Sequence, residues 1–282
     1  MSLPEPATRS CKISQKAIGP CLARGRVLSQ ENAMIGNLHS IESFGLVDGP
    51  GVRCVVFLRG CPMRCRYCHN PDTWKGEGGE AWEAKDLLKK VLRFRPYWKD
   101  NGGITVSGGE AMTQMAFVTE FFTLAKKEGV HTALDTSGIL FPMGEDRTAF
   151  DALMAVTDLV ILDIKEMEAG KHKALTGCDN APILAMARYL SEMGKPMWIR
   201  HVLVPGLTDE PEGLRKLGRF LSGLKTVERF EMLPYHSLGV YKWESLGLPY
   251  TLQEALPPTE EEMQKACALV EEGRSLAEAE SD

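Results

Sequence analysis

The sequence has few of the features that place a protein across or outside a membrane. No apolar run in the 282 residues approaches the roughly 18 residues of a spanning helix, and the N-terminus lacks the apolar core of a secretory signal. The 8 cysteines are too sparse for a disulfide scaffold in a chain of this length. We therefore expect a cytoplasmic protein in a reducing compartment, with no membrane partner.

A strong excess of either charge is also absent. A formal net charge of −5 and a pI near 5.8 give no general electrostatic reason to bind nucleic acid or an anionic surface. No internal period of about 20 to 50 residues occurs, which excludes a solenoid. With 44% hydrophobic and 25% charged residues, the composition is that of a globular protein with enough apolar surface for a packed core.

The first 33 residues differ from the rest of the chain. They mix Pro, Ser, Lys and Arg without helical or strand periodicity, which predicts a disordered extension or a misassigned start. A transit peptide, or a second redox site at Cys11 and Cys21, is the alternative, and we assign this segment no function. Patterned sequence begins at Met34 and predicts one domain over residues 34–282.

Short β-rich runs then alternate with amphipathic segments. Leu87, Leu88, Val91 and Leu92 lie on one stripe of the first such segment, which marks it as a core helix. Four of the runs are apolar with few polar residues, as expected for a parallel sheet covered on both faces. Six units suit a partial (β/α)6 barrel, with an open doubly wound α/β sheet as the alternative. The predicted strands span residues 52–58, 104–107, 130–135, 158–165, 197–204 and 229–235, and the predicted helices 82–95, 117–128, 146–156, part of 168–193, 210–221 and 260–272.

Three cysteines follow the first strand at the spacing CxxxCxxC, namely Cys61, Cys65 and Cys68. Three thiolates on one loop can bind three irons of a cubane cluster, whereas ordinary electron-transfer clusters take a fourth cysteine, and none is close in sequence. An iron without a protein ligand can bind substrate. The alternatives are a zinc knuckle that uses His69, or three unrelated buried cysteines; zinc sites usually contain paired CxxC elements, which are missing here.

Polar residues follow every predicted strand, at the end where barrel enzymes build their active sites. Glycines allow close approach of backbone to a ligand, a glutamate can accept from an ammonium group, and a lysine can pair with a carboxylate or ribose oxygen. Adjacent aspartates and a threonine suit a hard cation. Each feature also has a structural explanation: a plain turn, an ion pair, a helix cap or a loop histidine. The residues are Gly108, Gly109, Glu110, Asp135, Thr136, Asp163, Lys165, Arg200 and His236.

The motif series is similar to a known family. The loop GCPMRCRYCHNPDTW, with Tyr67 before the last cysteine, resembles the signature of the radical S-adenosylmethionine (SAM) superfamily. Together with DGPG at residues 48–51, SGGEA, LDTSG, LDIK, WIR and LPYH, it resembles more narrowly the pyruvate formate-lyase-activating enzymes, from Met34 to about Val270.

This resemblance implies a set of ligands and partners. It implies a [4Fe–4S] cluster on the three cysteines and a monovalent cation, Na⁺ or K⁺, on Asp135, Thr136 and Asp163. Asp48 would contact the glycine-bearing loop of a protein substrate, while His69 has no assigned role. The implied partners are pyruvate formate-lyase and a flavodoxin or ferredoxin as electron donor, and we expect a monomer. The implied SAM contacts are Tyr67, Asn70, Gly108, Gly109, Glu110, Asp163, Lys165, Arg200 and His236.

The resemblance also implies the reaction. Reductive cleavage of SAM would generate a glycyl radical on pyruvate formate-lyase under anaerobic conditions. One alternative is the activation of another glycyl radical enzyme, although the absence of cysteine between Cys68 and Gly108 excludes the ferredoxin-like insertion of many such activases. A non-catalytic iron–sulfur electron-transfer protein is the alternative from a different class.

Overall fold

A computed structural model describes residues 34–280 of the chain. The predicted extension at residues 1–33, with Cys11 and Cys21, lies outside the described residues. Eight strands form one sheet: β1 Ile35–Gly45, β2 Arg53–Leu58, β3 Glu80–Glu83, β4 Gly103–Gly108, β5 His131–Thr136, β6 Leu159–Asp163, β7 Met197–Leu203 and β8 Val227–Pro234. The α-helices are α1 Ala84–Val91, α2 Met115–Lys127, α3 Thr148–Ala155, α4 Ala169–Thr176, α5 Ala181–Glu192, α6 Pro211–Ser222, α7 Val240–Ser245 and α8 Glu260–Ala279.

The six predicted strands are confirmed as a continuous parallel array. The sheet order is β3-β1-β2-β4-β5-β6-β7-β8, and every neighbouring pair from β2 to β8 is parallel. Two further strands were not predicted: β1 pairs antiparallel with both β2 and β3. The fold is therefore α/β with an antiparallel extension at one edge.

Three predicted helix boundaries are wrong: both ends of the helix predicted over residues 82–95, and the end of the helix predicted over 260–272, which continues to Ala279. Trp82 pairs with Gly36 in the sheet, so the helix predicted from Trp82 begins at Ala84. That helix ends at Val91 and continues as a 3₁₀ helix that contains Pro96, which cannot donate an α-helical hydrogen bond. The helical segment at residues 168–193 divides into α4 and α5 because Gly177 adopts a left-handed conformation.

A contact across the sheet shows that it curves. Arg200 in β7 donates from its guanidinium to the carbonyl of Val47, in the loop between β1 and β2. β7 lies four strands from β2, a separation of about 19 Å in a flat sheet and beyond the reach of one side chain. Within residues 34–280 the end strands β3 and β8 do not pair, so the sheet forms a partial barrel, as predicted.

The two faces of the parallel strands differ in chemistry. The outward face is apolar and packs with the helices in the main core, through residues such as Val56, Val106, Leu134, Val160 and Ile199. The concave face carries a small apolar cluster of Ala133, Leu159, Ile161 and Trp198, and above it a polar set that includes Ser107, Asp135, Asp163, Arg200 and Glu231. No helix within the described residues is long and apolar enough to cross a membrane.

Candidate active site

The concave face opens on a cavity of about 550 Å³ at the carboxyl ends of the parallel strands. The loops that follow the strands supply its wall, as the barrel topology predicts. All predicted site residues except Glu110 line this cavity: Asp48, Cys61, Cys65, Tyr67, Cys68, Asn70, Gly108, Gly109, Asp135, Thr136, Asp163, Lys165, Arg200 and His236.

Backbone hydrogen bonds from two directions hold the cysteine loop. Cys61 donates its N–H to the carbonyl of Trp74 at 3.1 Å, and Arg64 donates to the carbonyl of Thr176, beyond the loop, at 2.7 Å. Cys65 is 8% exposed. Burial raises the pKa of the Cys61 and Cys65 thiols to about 12, so ionised sulfur in this loop requires a bound cation.

The donor arrangement distinguishes two kinds of metal site. Within residues 34–280, no three His, Cys, Asp or Glu side chains converge closely enough to hold a single metal ion. A zinc knuckle would need His69 beside the three cysteines, and the His69 Nε2 donates to the His236 carbonyl instead. Three thiols on one loop and one cavity wall are a donor set that fits an iron–sulfur cluster.

The glycine pair brings the end of β4 against the cysteine loop. Gly108 has a φ of 127°, a region that favours glycine, and a Cβ on it would overlap the backbone of Leu58. A Cβ on Gly109 would overlap the carbonyl of Gly60, next to Cys61. Any side chain at either position would separate these two parts of the wall.

Glu110 lies behind the cavity wall. It is 1% exposed, and its carboxylate accepts from the Thr136 hydroxyl at 2.6 Å and from the Ser137 N–H and hydroxyl at 2.9 and 2.5 Å. It also accepts from the N–H of Met112 at 3.0 Å, which caps a 3₁₀ helix. In this conformation Glu110 joins the ends of β4 and β5, and its predicted contact with the cofactor ammonium stays a prediction.

Opposite charges alternate across the floor of the cavity. Lys165 donates to Asp163 at 2.9 Å, and Arg200 donates to Glu231 at 2.8 Å. Although burial alone would lower the pKa of Lys165, the charge of Asp163 raises it overall. The cavity floor therefore offers both positive and negative side chains to a ligand that carries an ammonium and a carboxylate group, such as an amino acid.

Within the described residues 34–280, no Lys, Arg or His forms an ion pair with Asp135. Ser107 donates its hydroxyl to Asp135 at 2.7 Å, but burial raises the pKa of Asp135 to about 6, the charge of Arg200 opposes this rise, and that of Asp163 adds to it. Asp135 and Asp163 end adjacent strands, so the structure brings together the two carboxylates of the predicted cation site. The Thr136 hydroxyl is already engaged with Glu110.

Comparison with known proteins identifies the family. Residues 55–218 match the model of the Radical SAM superfamily. The chain is 55% identical over 240 residues to a pyruvate formate-lyase-activating enzyme of Streptococcus mutans, a match that covers 83% of this chain and 90% of the relative. The chain is a radical SAM enzyme of the pyruvate formate-lyase-activating family. An enzyme of the same name from Staphylococcus epidermidis is 49% identical over 82% of this chain and 93% of its own length.

Solved structures share the radical SAM fold. A radical SAM methyltransferase from Sphaerobacter thermophilus matches with a TM-score of 0.57 at 16% identity, over 78% of this chain and 64% of that one. A domain of a pyruvate formate-lyase-activating enzyme from Bacteroides vulgatus matches with a TM-score of 0.50 at 24% identity, over 61% of this chain and 94% of that one. At these identities the likeness concerns the fold alone.

The sequence analysis placed His236 after the last strand, but it missed α7 and the contacts that this segment makes with the cysteine loop of the radical SAM site. The rings of His69 and His236 stack at 4.0 Å, and the His69 Nε2 donates to the His236 carbonyl at 3.0 Å. In α7, Lys242 donates to the Asn70 Oδ1 at 2.8 Å, and Trp243 donates its indole N–H to the Cys68 carbonyl at 2.9 Å. A six-residue helix is too short to show a helical period, so no local pattern indicated these contacts.

The loop before β2 forms the opposite rim. Thr105 donates its hydroxyl to the Asp48 carbonyl at 2.6 Å, and the fully buried Arg53 supports the turn by donating to the Pro50 carbonyl at 3.2 Å. Gly49 has a φ of 125° and lies against the Arg53 side chain. Burial raises the pKa of Asp48, and the charge of Arg200 opposes that rise. Asp48 therefore lines the cavity on a turn whose backbone is held by Thr105 and Arg53.

Proposed function

We propose that the chain activates pyruvate formate-lyase under anaerobic conditions by generating a glycyl radical on it. The supporting observation is that three cysteines of the CxxxCxxC loop share one cavity wall with the charged ends of the parallel strands. Cys61, Cys65 and Cys68 would hold a [4Fe–4S] cluster. When bound and reduced, the cluster supplies the electron that cleaves SAM to methionine and a 5′-deoxyadenosyl radical, the oxidant of the glycine Cα–H bond.

The residues of the chain bind and orient the substrates. Asp163 and Lys165 would hold the charged groups of the methionine moiety together with Arg200, and Tyr67, Asn70, Gly108, Gly109, Glu110 and His236 would complete the SAM site. A Na⁺ or K⁺ ion on Asp135, Thr136 and Asp163 would neutralise the unpaired carboxylate of Asp135. The barrel wall limits access of water and other hydrogen donors to the reacting centre.

The protein substrate and the electron donor come from outside the chain. The glycine-bearing loop of pyruvate formate-lyase would enter between Asp48 and the segment after β8, where the sheet does not close. The electron would come from a flavodoxin or ferredoxin. We also expect the protein to be a cytoplasmic monomer.

The first test is cofactor cleavage. The anaerobically reconstituted and reduced protein should convert SAM to methionine and 5′-deoxyadenosine, and Cys65→Ala should not. Absence of product above the Cys65→Ala control would show that the protein does not carry out this reaction and would leave electron transfer as the role of a cluster.

The second test identifies the protein substrate. Incubation with SAM and pyruvate formate-lyase should produce a glycyl radical signal in electron paramagnetic resonance, and Asp48→Ala should reduce its yield without reducing cleavage of SAM alone. A signal with a different glycyl radical enzyme, and none with pyruvate formate-lyase, would reassign the substrate within the same class of reaction.

A further inference from the structure

We propose that the outer face of the cysteine loop is the docking surface for an acidic one-electron carrier protein. We call this surface the basic face and define it by Arg59, Arg64, Arg66, Lys75 and Lys173. The inference rests on the proposed function, in which the carrier is oxidised by one electron and the cluster is reduced by one. The inference adds the surface of the protein through which that electron reaches the cluster.

The cysteine loop has two sides with different exposure. Met63 and Cys65 are buried. Pro62, which precedes Met63, and Arg64, which lies between the two, are exposed. The cysteines line the cavity on the inner side. The protein substrate needs the mouth of that cavity, so a carrier can approach the cluster most directly through the outer side, where a single layer of chain separates the cysteines from solvent.

Arg64 is held in position at the centre of the basic face. Its Nη1 donates to the carbonyls of Cys61 and Met63, both at 2.7 Å, and its guanidinium lies 4.9 Å from the centre of the Trp74 ring. A guanidinium held in this way loses little side-chain entropy when it binds a carboxylate. An anionic group bound to Arg64 would lie beside the backbone of a cluster ligand.

The other cations surround Arg64. The Cβ position of Gly177 is 3.8 Å from the Arg64 Cβ, which places the exposed Lys173, one helical turn earlier in α4, next to it. Arg66 donates its Nε to Thr251 at 3.0 Å, and Arg59 donates to the carbonyl of Lys75, the residue after Trp74. The basic face is therefore continuous from α4 to the segment after the cysteine loop.

The charge of this face contrasts with that of the molecule. Among residues 34–280, none of the five cations forms an ion pair with a carboxylate. Glu77 and Asp179 are acidic residues near these cations in the chain, and Asp209 and Glu210 line a surface pocket with Arg66 and Lys171, where Glu210 pairs with Lys171. The whole chain has a net charge of −5, so five cations without a carboxylate ion-pair partner form a local excess of positive charge.

Charge complementarity determines the kind of partner. Electron-transfer complexes bury little surface, and electrostatic attraction supplies much of their association rate. A carrier with an acidic surface around its redox group meets this requirement. Because the groups are exposed, the attraction should weaken as ionic strength rises.

The experiment uses the reconstituted holoenzyme and compares two reductants. Reduced flavodoxin serves as the protein probe, and dithionite serves as a small reductant that needs no docking surface. The test variant is Lys75→Glu/Lys173→Glu. The control, Lys89→Glu/Lys127→Glu, changes the net charge equally at exposed positions in the last turns of α1 and α2, at the opposite end of the barrel.

The test variant should lower the flavodoxin-driven rate of SAM cleavage about tenfold or more at low salt. It should weaken flavodoxin binding, measured directly, by a similar factor, and both losses should shrink at high salt. Dithionite-driven cleavage should not change, and the control should keep both rates.

If the test variant keeps flavodoxin binding, or if the control loses binding equally, the proposed docking surface is wrong. Loss of the dithionite-driven rate in the test variant would also contradict this surface, because the two lysines would then act on the cluster itself. Failure of the wild-type protein to cleave SAM with dithionite would instead contradict the proposed function, while the binding measurement would still decide the docking surface.

Discussion

At the scale of single residues, Lys242 determines which atom Asn70 presents to the cavity. Lys242 also lies 3.2 Å from a carboxylate oxygen of Asp72, and His39 lies 2.8 Å from that carboxylate. A lysine ammonium has only donors, so the Asn70 Oδ1 faces Lys242. The amide N–H₂ of Asn70 is then free to donate to an acceptor on the cofactor.

Lys242→Met should therefore weaken SAM binding through Asn70. We expect a loss of affinity of about two- to tenfold, the value of one hydrogen bond. The same substitution in an Asn70→Ala background should have little further effect, and Lys265→Met, at an exposed position in α8, should have none. Equilibrium binding of SAM to the reconstituted protein measures all four variants. Additive losses from Lys242→Met and Asn70→Ala would show that the two residues act separately.

At the scale of elements, α6 and α8 are in backbone contact. A Cβ on Gly218 in α6 would overlap the Val270 carbonyl, and one on Gly273 in α8 would overlap the Arg215 carbonyl. Two glycines therefore determine how closely these helices cross.

α8 begins with a capping box in which Thr259 accepts from the Glu262 N–H at 3.2 Å and donates to its carboxylate at 3.0 Å.

Gly218→Ala should destabilise the protein although alanine is the better helix former. Helix propensity alone would add about 1 kcal/mol of stability, but separation of the helices should cost about 1–3 kcal/mol. Gly213→Ala in the same helix is the control, because its Cβ would meet only the ends of two side chains, Glu210 at 3.3 Å and Glu166 at 3.6 Å. Urea denaturation should show a lower midpoint for Gly218→Ala alone. An unchanged or higher midpoint would mean that the helix pair adapts to the methyl group.

Asp158 connects α2 with the beginnings of β5 and β6. It accepts from Lys126 at 2.6 and 2.8 Å and from the Thr132 N–H at 2.9 Å. Burial acts to raise the pKa of Asp158, but the hydrogen bonds from Lys126 and Thr132 lower it overall. A carboxyl group with a lowered folded-state pKa stabilises the fold above its unfolded pKa of about 3.9 and loses this effect as the pH falls through the folded value.

Asp158→Asn should accordingly reduce stability by about 1 kcal/mol at pH 7, since the pair is partly exposed to solvent. The difference from the unsubstituted protein should shrink below about pH 4, where Asp158 is protonated in the unfolded chain before it is protonated in the folded protein. Denaturation midpoints at pH 7 and at pH 3.5 measure the two differences. A difference that is equal at both pH values would assign the effect to packing instead of charge.

At the scale of the whole molecule, Arg200 joins distant parts of the barrel. Besides its pair with Glu231 in β8, it contacts the Val47 carbonyl across the concave face. Its charge lowers the pKa of Asp135 against the effect of burial. The positive charge of one guanidinium thus offsets the negative charges of carboxylates from several strands. Its hydrogen bond to Val47 also holds the loop that carries Asp48.

Arg200→Gln should destabilise the barrel by about 3 kcal/mol or more at pH 8, because it removes the buried cation that faces Asp135 and leaves Glu231 with only the exposed Arg229. Loss of Arg200 raises the folded-state pKa of these carboxyl groups, so the penalty should decrease as the pH falls and they become protonated. Arg229→Gln is the control, since Arg229 pairs with the same Glu231 at 2.9 Å but its side chain is 55% exposed; we expect less than about 1 kcal/mol. Denaturation at pH 8 and pH 5 tests both, and equal effects of the two variants would contradict this role of Arg200.

Much of the fold could be predicted because most of its parallel strands are buried on both faces. Such strands appear as apolar runs, as four of the six do, and the alternation of strand and helix patterns identified the others, including the partly exposed β8, apart from small errors at their ends. β1 and β3 carry no such signal. β1 is only partly buried, with irregular pairing, and β3 has four residues and lies at the sheet edge.

The sequence by itself determined the cysteine spacing, the positions of the parallel strands along the chain and the polar residues at their ends, because these depend on neighbours along the chain. Only the tertiary structure decided that Glu110 binds Thr136 and Ser137, that Lys242 orients Asn70, and that Arg200 reaches Val47. The partners of Lys242 and Arg200 are 172 and 153 positions away in the chain. Such contacts follow from the curvature of the sheet and the return of the chain after β8, and no local period of the sequence encodes them.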